Sequence, residues 1–265
     1  MTAKGEKYGT DARYGGAMID PCLDLIRLWD EGCDRLTLLQ RRLSDLASPQ
    51  QTVSTTKHVV CELFAHRFLS ESGLHWTRIL KDFGDRLSRS SVEQICFLAT
   101  VAADAMLRDF MVMEYWPRIQ SGVQTLNPTA YEDFFTVAEQ AGRGGSPWTD
   151  SRKKRLVAAL RALINGFGLV QKSPGKLSVP QLRAPLINPD VTVFLVYALR
   201  ERGYSPFDLV HAVEWQCFGL SPSAVVNLLR SSRFTEYFYI QSSGDLVDIA
   251  YQKGSLREAV QSYVA

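Results

Sequence analysis

Apolar residues recur at helical spacing along most of the chain, and strand-like runs are short. Packing helices are predicted over residues 17–30 and 34–46, and Ser54 can cap a third. The most apolar segment, residues 91–116, predicts one long helix that Pro117 ends. The pattern therefore predicts a mainly α fold: a helical bundle with winged helix-turn-helix-like modules and two short β-hairpins.

The segment 146–183 carries the clearest functional pattern. Thr149 or Asp150 can cap a helix of about four turns, which Gly166 and Gly168 end. The runs LVQK and KLSV then predict a hairpin with a Pro-Gly tip. A helix followed directly by a hairpin is typical of a winged helix-turn-helix module. One narrow face of the helix is apolar, and it consists of Leu156, Leu160, Leu163 and Phe167, with Ile164 beside them.

Positive charge lies on the other side of this helix and on both flanks of the hairpin tip. The third predicted helix, which follows a short break, forms a second helix-turn-helix candidate, although it carries fewer outward charges. Its Lys57 is therefore also predicted to contact DNA. The residues predicted to contact DNA are Lys57, Arg152, Lys153, Lys154, Arg155, Arg161, Asn165, Lys172, Lys176 and Arg183.

The charge balance of this segment differs from that of the rest of the chain. From Gly142 to Arg183 there are nine Lys and Arg residues and one acid, a net charge of +8. The whole chain carries +2, so the remainder carries −6. Cations at residues 152–155 crowd the positive end of the helix dipole, where each costs about 0.3–1 kcal/mol, and a bound phosphate would relieve that cost. Nucleic acid explains the pattern, and so does an acidic neighbour in the same chain or a partner.

The C-terminal part repeats the order helix, turn, helix, hairpin, with strands predicted over 237–241 and 246–251. From Arg200 onward six Lys and Arg residues oppose seven acids, a net charge of −1, so packing or partner binding is favoured over phosphate contact. The predicted division has four parts: a flexible lead-in over 1–16, an N-terminal helical bundle over 17–145, a basic helix plus wing over 146–183, and a C-terminal helical region with a hairpin over 190–265.

The sequence lacks the motifs that are typical of several functional classes. The five cysteines are scattered and none is in a CxxC spacing, which favours a reducing, cytoplasmic compartment over a disulfide framework or a zinc site. The longest uncharged apolar runs have nine residues, where a membrane span needs about twenty, so no membrane partner is predicted. No Ser/His/Asp, Cys/His, HExxH or P-loop spacing occurs. The chain is therefore predicted to be a non-enzyme with no cofactor and no metal.

Four segments are also similar to a known family: GGAMIDPCLDLIRLWDEG, AADAMLRDFMVMEYW, WTDSRKKRLVAALRALINGFGLV and SSGDLVDIAYQKGSLREAV. Together they resemble the BrxA-like A subunits of BREX bacteriophage-exclusion systems. The resemblance implies a mostly helical, non-enzymatic accessory protein of antiviral defence, with nucleic-acid binding as the expected activity and other BREX-system proteins as partners.

Competing functions follow from the same residues. The first hypothesis is a cytoplasmic accessory subunit that binds double-stranded DNA through the basic helix and wing. The second is a protein-interaction scaffold whose basic face docks an acidic partner of the defence complex, and an RNA-binding protein is a further alternative. A hydrolase that uses Asp104 and Asp109 is a third hypothesis, although an i, i+4 ion pair between Asp104 and Arg108 explains the first of these carboxylates structurally.

Overall fold

A computed structural model describes residues 7–8, 16–45, 53–144, 147–171, 180–244 and 246–264. These residues are mainly helical and include two small antiparallel sheets of two strands each. The mainly α fold with two hairpins is therefore confirmed, and the winged helix-turn-helix detail stays a prediction. No helix in these ranges is long and apolar enough to cross a membrane.

The chain divides into two compact units. The first comprises Met1–Thr77 and Cys96–Pro185, and the second comprises Arg78–Ile95 and Leu186–Ala265. A chain of 265 residues is long enough to bury a core in each. The four-part division made from the sequence stays a prediction.

Four helical segments open the first unit. These are α1 (Ile19–Leu28), α2 (Arg35–Asp45), α3 (Val53–Lys57) and, after a π-helical segment (His58–Phe64), α4 (Ala65–Phe68). The apolar positions of α1 and α2 repeat every three to four residues, so each of these two helices presents one stripe to the core. The fully buried side chains in this part of the unit, including the π-helical segment, are Cys22, Leu25, Ile26, Leu38, Val60, Leu63, Phe64 and Phe68.

The predicted single helix over 91–116 is wrong, because the chain breaks at Asp104. After α5 (Glu71–Phe83), α6 (Arg89–Ala103) ends there, with Asp104 in an extended conformation at φ −115° and ψ 97°. Its carboxylate accepts a hydrogen bond from the backbone N–H of Leu107 at 3.1 Å and so caps α7 (Ala105–Phe110). A side-chain acceptor at this position competes with the continuing helix, as aspartate does at N-caps.

Pro117 also does not end the helical stretch. A π-helical segment (Met111–Tyr115) follows α7, and α8 (Trp116–Gln120) then contains the proline in its first turn. Tyr115 and Trp116 before it are also helical, so Pro117 lies inside a continuous helical stretch, and its missing N–H coincides with the π-helical turn in which the ordinary i to i−4 hydrogen bonding is interrupted. The predicted end point is therefore corrected from Pro117 to Gln120.

Two helices and a small sheet complete the first unit. They are α9 (Pro128–Gln140), α10 (Asp150–Gly166), β1 (Val170–Gln171) and β2 (Gln181–Leu182). Val170 pairs with Leu182, and an isolated antiparallel bridge joins Thr125 to Gln181. The strand that pairs with β1 thus follows Pro180, whereas the sequence predicts it over residues 176–179, which lie outside the described residues.

The second unit includes α11 (Pro189–Glu201), α12 (Pro206–Val210), α13 (Val213–Gln216) and α14 (Pro222–Leu229). Side-chain oxygens of Ser205 and Ser221 cap α12 and α14. The second hairpin, β3 (Phe238–Ser243) with β4 (Leu246–Tyr251), pairs Phe238 with Tyr251 through to Ser243 with Leu246, and α15 (Leu256–Val264) follows it.

Candidate nucleic-acid interface

The basic helix α10 is held by a cap at its start and by an apolar face along its length. The Thr149 hydroxyl accepts a hydrogen bond from the N–H of Arg152 at 3.3 Å. Gly168, just beyond the helix, has φ +64°, the left-handed conformation that glycine adopts without strain. The side chains that face the core, Leu156, Leu160, Leu163 and Ile164, are fully buried.

Three of the predicted cations lie near the start of α10 and face outward. Lys154 and Arg155 are exposed and Arg152 is half-buried. Within the described residues, the side chains of Arg152 and Lys154 make no hydrogen bond or ion pair. Their charges therefore remain available to an anionic ligand near the N–H groups of the first helical turn.

Lys153 has a different role from its neighbours, because it forms an ion pair with α9. Its Nζ lies 2.6 Å from Oε2 of Glu139, and Oε1 of the same carboxylate accepts the backbone N–H of Trp148 at 2.6 Å. The hydrogen bond from Lys153, followed by the bond from Trp148, lowers the pKa of Glu139 below its ordinary value. Glu139 thus links the end of α9 to the start of α10.

Two further predicted contact residues lie in the second half of α10. The Arg161 guanidinium lies 4.9 Å from the centre of the Tyr131 ring in α9. Burial raises the pKa of Tyr131 to about 12, and the nearby Arg161 opposes that shift. The Asn165 side-chain amide donates to the Arg161 carbonyl at 2.8 Å, within the same helix. Arg161 can still direct N–H groups outward from the ring, because cation–π contact uses the face of the guanidinium.

The surface between α9 and α10 forms a cleft of about 410 Å³ with mixed charge. Glu132 and Asp150 line it together with Lys153, Lys154 and Arg161. The outer face is therefore less uniformly positive than the sequence suggests.

The remaining predicted contact residues are spread over other elements. Arg183 is exposed immediately after β2, and its Nη1 lies 3.5 Å from the Gly168 carbonyl at the end of α10. Lys57 is exposed on α3, a separate helix of the first unit. Lys172 and Lys176 lie outside the described residues. The structure thus gathers six of the predicted residues on α10 and places Arg183 beside the end of that helix.

A buried tyrosine ties β1 and β2 to the helical core. The Tyr115 hydroxyl donates to the Leu169 carbonyl at 2.6 Å and also contacts the Arg183 carbonyl. Burial raises the pKa of Tyr115 above its ordinary value, so the phenol keeps its proton. Both carbonyls flank the small sheet, and Tyr115 therefore fixes where the sheet leaves the bundle.

The sequence did not predict a second buried contact, which anchors the turn between α9 and α10 to the helical core. Arg143 forms an ion pair with the buried Asp109 at 3.0 Å, and the Tyr8 hydroxyl donates to the same carboxylate at 3.1 Å. The Tyr8 ring also stacks on Phe134 and Trp148. Tyr8 and Asp109 are 101 positions apart, and the only local signal was an aromatic residue in a polar segment.

These features describe a mainly helical protein whose first unit presents a cationic helix beside a small sheet. A comparison with family models matches residues 6–196 to the family described as BrxA. The chain belongs to the BrxA family, and it is therefore a BREX phage-defence protein. BrxA is an accessory family and not a known enzyme class. No curated protein and no solved structure matches the chain.

Proposed function

We propose that this BREX accessory protein binds duplex DNA through the outer side of α10. The observation that carries the proposal is the group of outward-facing cations, Arg152, Lys154 and Arg155, at the capped start of a helix whose opposite face is buried. Phosphate contacts of this kind fix a protein on the duplex, and exposed side chains farther along the helix can then reach base edges.

The order of elements around α10 supports a winged helix-turn-helix docking mode. A helix, α8, precedes the bridged strand residue Thr125, which is followed by α9, α10, β1 and β2. In such modules the second helix of the pair enters the major groove, and the hairpin reaches the neighbouring backbone. In this arrangement Arg183 and the hairpin residues Lys172 and Lys176 would serve as flanking phosphate contacts.

Binding to a fluorescent duplex at graded salt tests the proposal. Counterion release gives a linear fall of log affinity with log salt concentration, with a slope of about −0.9 per phosphate neutralised. Replacing Lys154 and Arg161 with Ala should weaken binding about equally on unrelated sequences and flatten the slope by about 0.9 for each phosphate that is no longer neutralised. Lys81→Ala with Arg86→Ala, two exposed cations of the second unit, is the matched control. Unchanged affinity in the α10 variant would contradict the proposal.

A second candidate function is the docking of an acidic partner within the defence complex. The mixed cleft favours it, because carboxylates beside cations suit a partner with complementary charges better than a uniformly anionic backbone. Co-purification with neighbouring BREX proteins, with no salt-dependent binding to duplex DNA or RNA, would favour this function. Stronger binding to single-stranded or duplex RNA would instead favour the RNA alternative.

A further inference from the structure

The segment that precedes α1 contacts the start of α10 through Tyr8. Its ring is buried and stacks on Trp148 with 6.1 Å between the ring centres, and Trp148 directly precedes the Thr149 cap. The backbone N–H of Tyr8 donates to the Arg143 carbonyl at 2.9 Å, in the turn between α9 and α10. Its hydroxyl donates to the buried Asp109 at 3.1 Å. Tyr8 therefore holds in place the chain that leads into the basic helix.

The same segment contacts the last turns of α10. A Cβ atom added to Gly166, the last residue of the helix, would lie 2.7 Å from the Cβ of Ala17, so only glycine permits this approach. A Cβ atom added to Gly16 would likewise lie 3.6 Å from that of Ala162. The fully buried Arg67 of α4 holds the segment there, because its Nη1 donates to the carbonyls of Gly16 at 2.8 Å and Ala17 at 3.3 Å. The described residues before α1 thus contact α10 at both ends.

The junction between this segment and α1 is strained. Met18 adopts the left-handed conformation, with φ 50° and ψ 39°, which costs a residue with a Cβ atom about 1–2 kcal/mol. Such a conformation persists only where neighbouring contacts impose it, and the bonds from Arg67 to the two preceding carbonyls are contacts of that kind. Release of the segment would relieve the strain. The docked and released states are therefore closer in free energy than the buried contacts alone imply.

We propose that residues 7–8 and 16–17 form a strap whose docking sets α10 in the position that binds duplex DNA, an inference that rests on the function proposed above. Tyr8 is then a positioning residue, because its buried ring acts on the turn before α10 and leaves phosphate contact to the cations of the helix. Docking and DNA binding require the same placement of α10. Each therefore favours the other by the same factor, as holds for any two coupled binding equilibria.

Duplex binding by full-length variants across a salt series tests the strap, with folding checked by circular dichroism. Tyr8→Ala should lower affinity about tenfold, within the usual range of coupling between two sites. The slope of log affinity against log salt concentration should stay unchanged, because no cation is removed. Tyr8→Phe keeps the stacked ring and should retain most of the affinity. Tyr237→Ala, the same change at a tyrosine of similar burial in the second unit, is the matched control.

Two outcomes of this experiment would overturn the strap alone. The first is equal affinity in Tyr8→Ala and Tyr237→Ala. The second is a flatter salt slope in Tyr8→Ala, which would mean that the substitution disrupts the cationic helix itself. Absence of salt-dependent binding by the wild-type protein would instead refute the proposed function, and the strap with it.

Gly166→Ala tests the other end of the strap. Alanine is about 1 kcal/mol more favourable than glycine in a helix, so α10 should remain helical. The new Cβ atom would displace Ala17, however, and affinity for the duplex should fall. Gly84→Ala, where the added Cβ atom meets no atom within 4 Å, is the matched control. Unchanged affinity in Gly166→Ala would contradict the proposal.

Hydrogen exchange of the wild-type protein tests the coupling without any substitution. The bond from the Tyr8 N–H to the Arg143 carbonyl protects that amide while the strap is docked. Saturating duplex DNA should slow exchange at Tyr8 about tenfold, the factor by which Tyr8→Ala lowers affinity. The Gln252 amide, which donates to the Tyr237 carbonyl in the second unit, is the control and should exchange at an unchanged rate. An exchange rate at Tyr8 that DNA leaves unchanged would mean that the residue only stabilises the core, and would overturn the strap.

Discussion

Replacing Glu139 with Gln should increase the affinity of the protein for duplex DNA. One oxygen of the carboxylate lies 2.6 Å from Nζ of Lys153, and the other accepts the Trp148 N–H. The ion pair therefore neutralises a cation that lies on the proposed binding helix. Glutamine keeps an oxygen for Trp148 but no longer pairs with the charge of Lys153. The substitution therefore releases one cation beside Lys154 while it preserves the link that positions the start of α10.

The size of the effect follows from counterion release. One additional phosphate contact steepens the slope of log affinity against log salt concentration by about 0.9. At about 0.1 M salt that change corresponds to an affinity gain of up to roughly eightfold, and the gain shrinks as salt approaches 1 M. A gain that is independent of salt would have a different cause.

Fluorescence anisotropy with one duplex across a salt series measures both quantities. Lys153→Ala alone should change affinity little, because its charge is already paired. Lys153→Ala combined with Glu139→Gln should cancel the gain. Glu93→Gln, which breaks a comparable ion pair with Arg89 in the second unit, is the matched control. A weaker affinity in Glu139→Gln, or a gain that survives the loss of Lys153, would refute the reasoning.

Three further predictions concern stability, each measured by urea unfolding. Burial raises the pKa of Asp104 to about 6, so the folded protein binds more protons than the unfolded chain between about pH 4 and 6. Stability should fall by up to about 3 kcal/mol as pH rises through that window, and Asp104→Asn should flatten the fall. Leu160→Ala should cost about 2–5 kcal/mol, because the side chain is fully buried on the core face of α10. Gly73→Ala should destabilise strongly, since the new Cβ would lie 1.9 Å from the Arg67 carbonyl oxygen, whereas Gly84→Ala, with no atom within 4 Å, should be nearly neutral.

The helical pattern predicted the inward face of α10 because the spacing of its leucines is a local property of the sequence. It could not predict which charged side chains would pair. Glu139 and Lys153 come from different helices, and Asp109 meets Arg143 only after the chain has folded. Periodicity assigns a residue to a face of its own helix and carries no information about the facing element.

The break at Asp104 shows a different limit of the pattern. The apolar residues on both sides keep helical spacing, so the sequence favours one continuous helix. One carboxylate oxygen aimed at the Leu107 N–H is enough to start a new helix. Aspartate is a common N-cap residue, so the sequence did contain a signal for this break. The prediction of one continuous helix nevertheless followed the apolar spacing on both sides of the aspartate, because that spacing is the stronger pattern.

The ion pairs also limit how steep the salt dependence of DNA binding can be. The segment from Gly142 to Arg183 has a net charge of +8, but Arg143 and Lys153 are each paired with an acid outside it, which lowers the effective charge to +6. Even if all seven other cations of the segment contacted phosphate, at about 0.9 each, the slope would be no steeper than roughly −6. A steeper slope would require cations from elsewhere in the chain, with exposed Lys57 on α3 as the first to replace. A slope near −3 would mean that the outward group at the start of α10 accounts for binding without the hairpin.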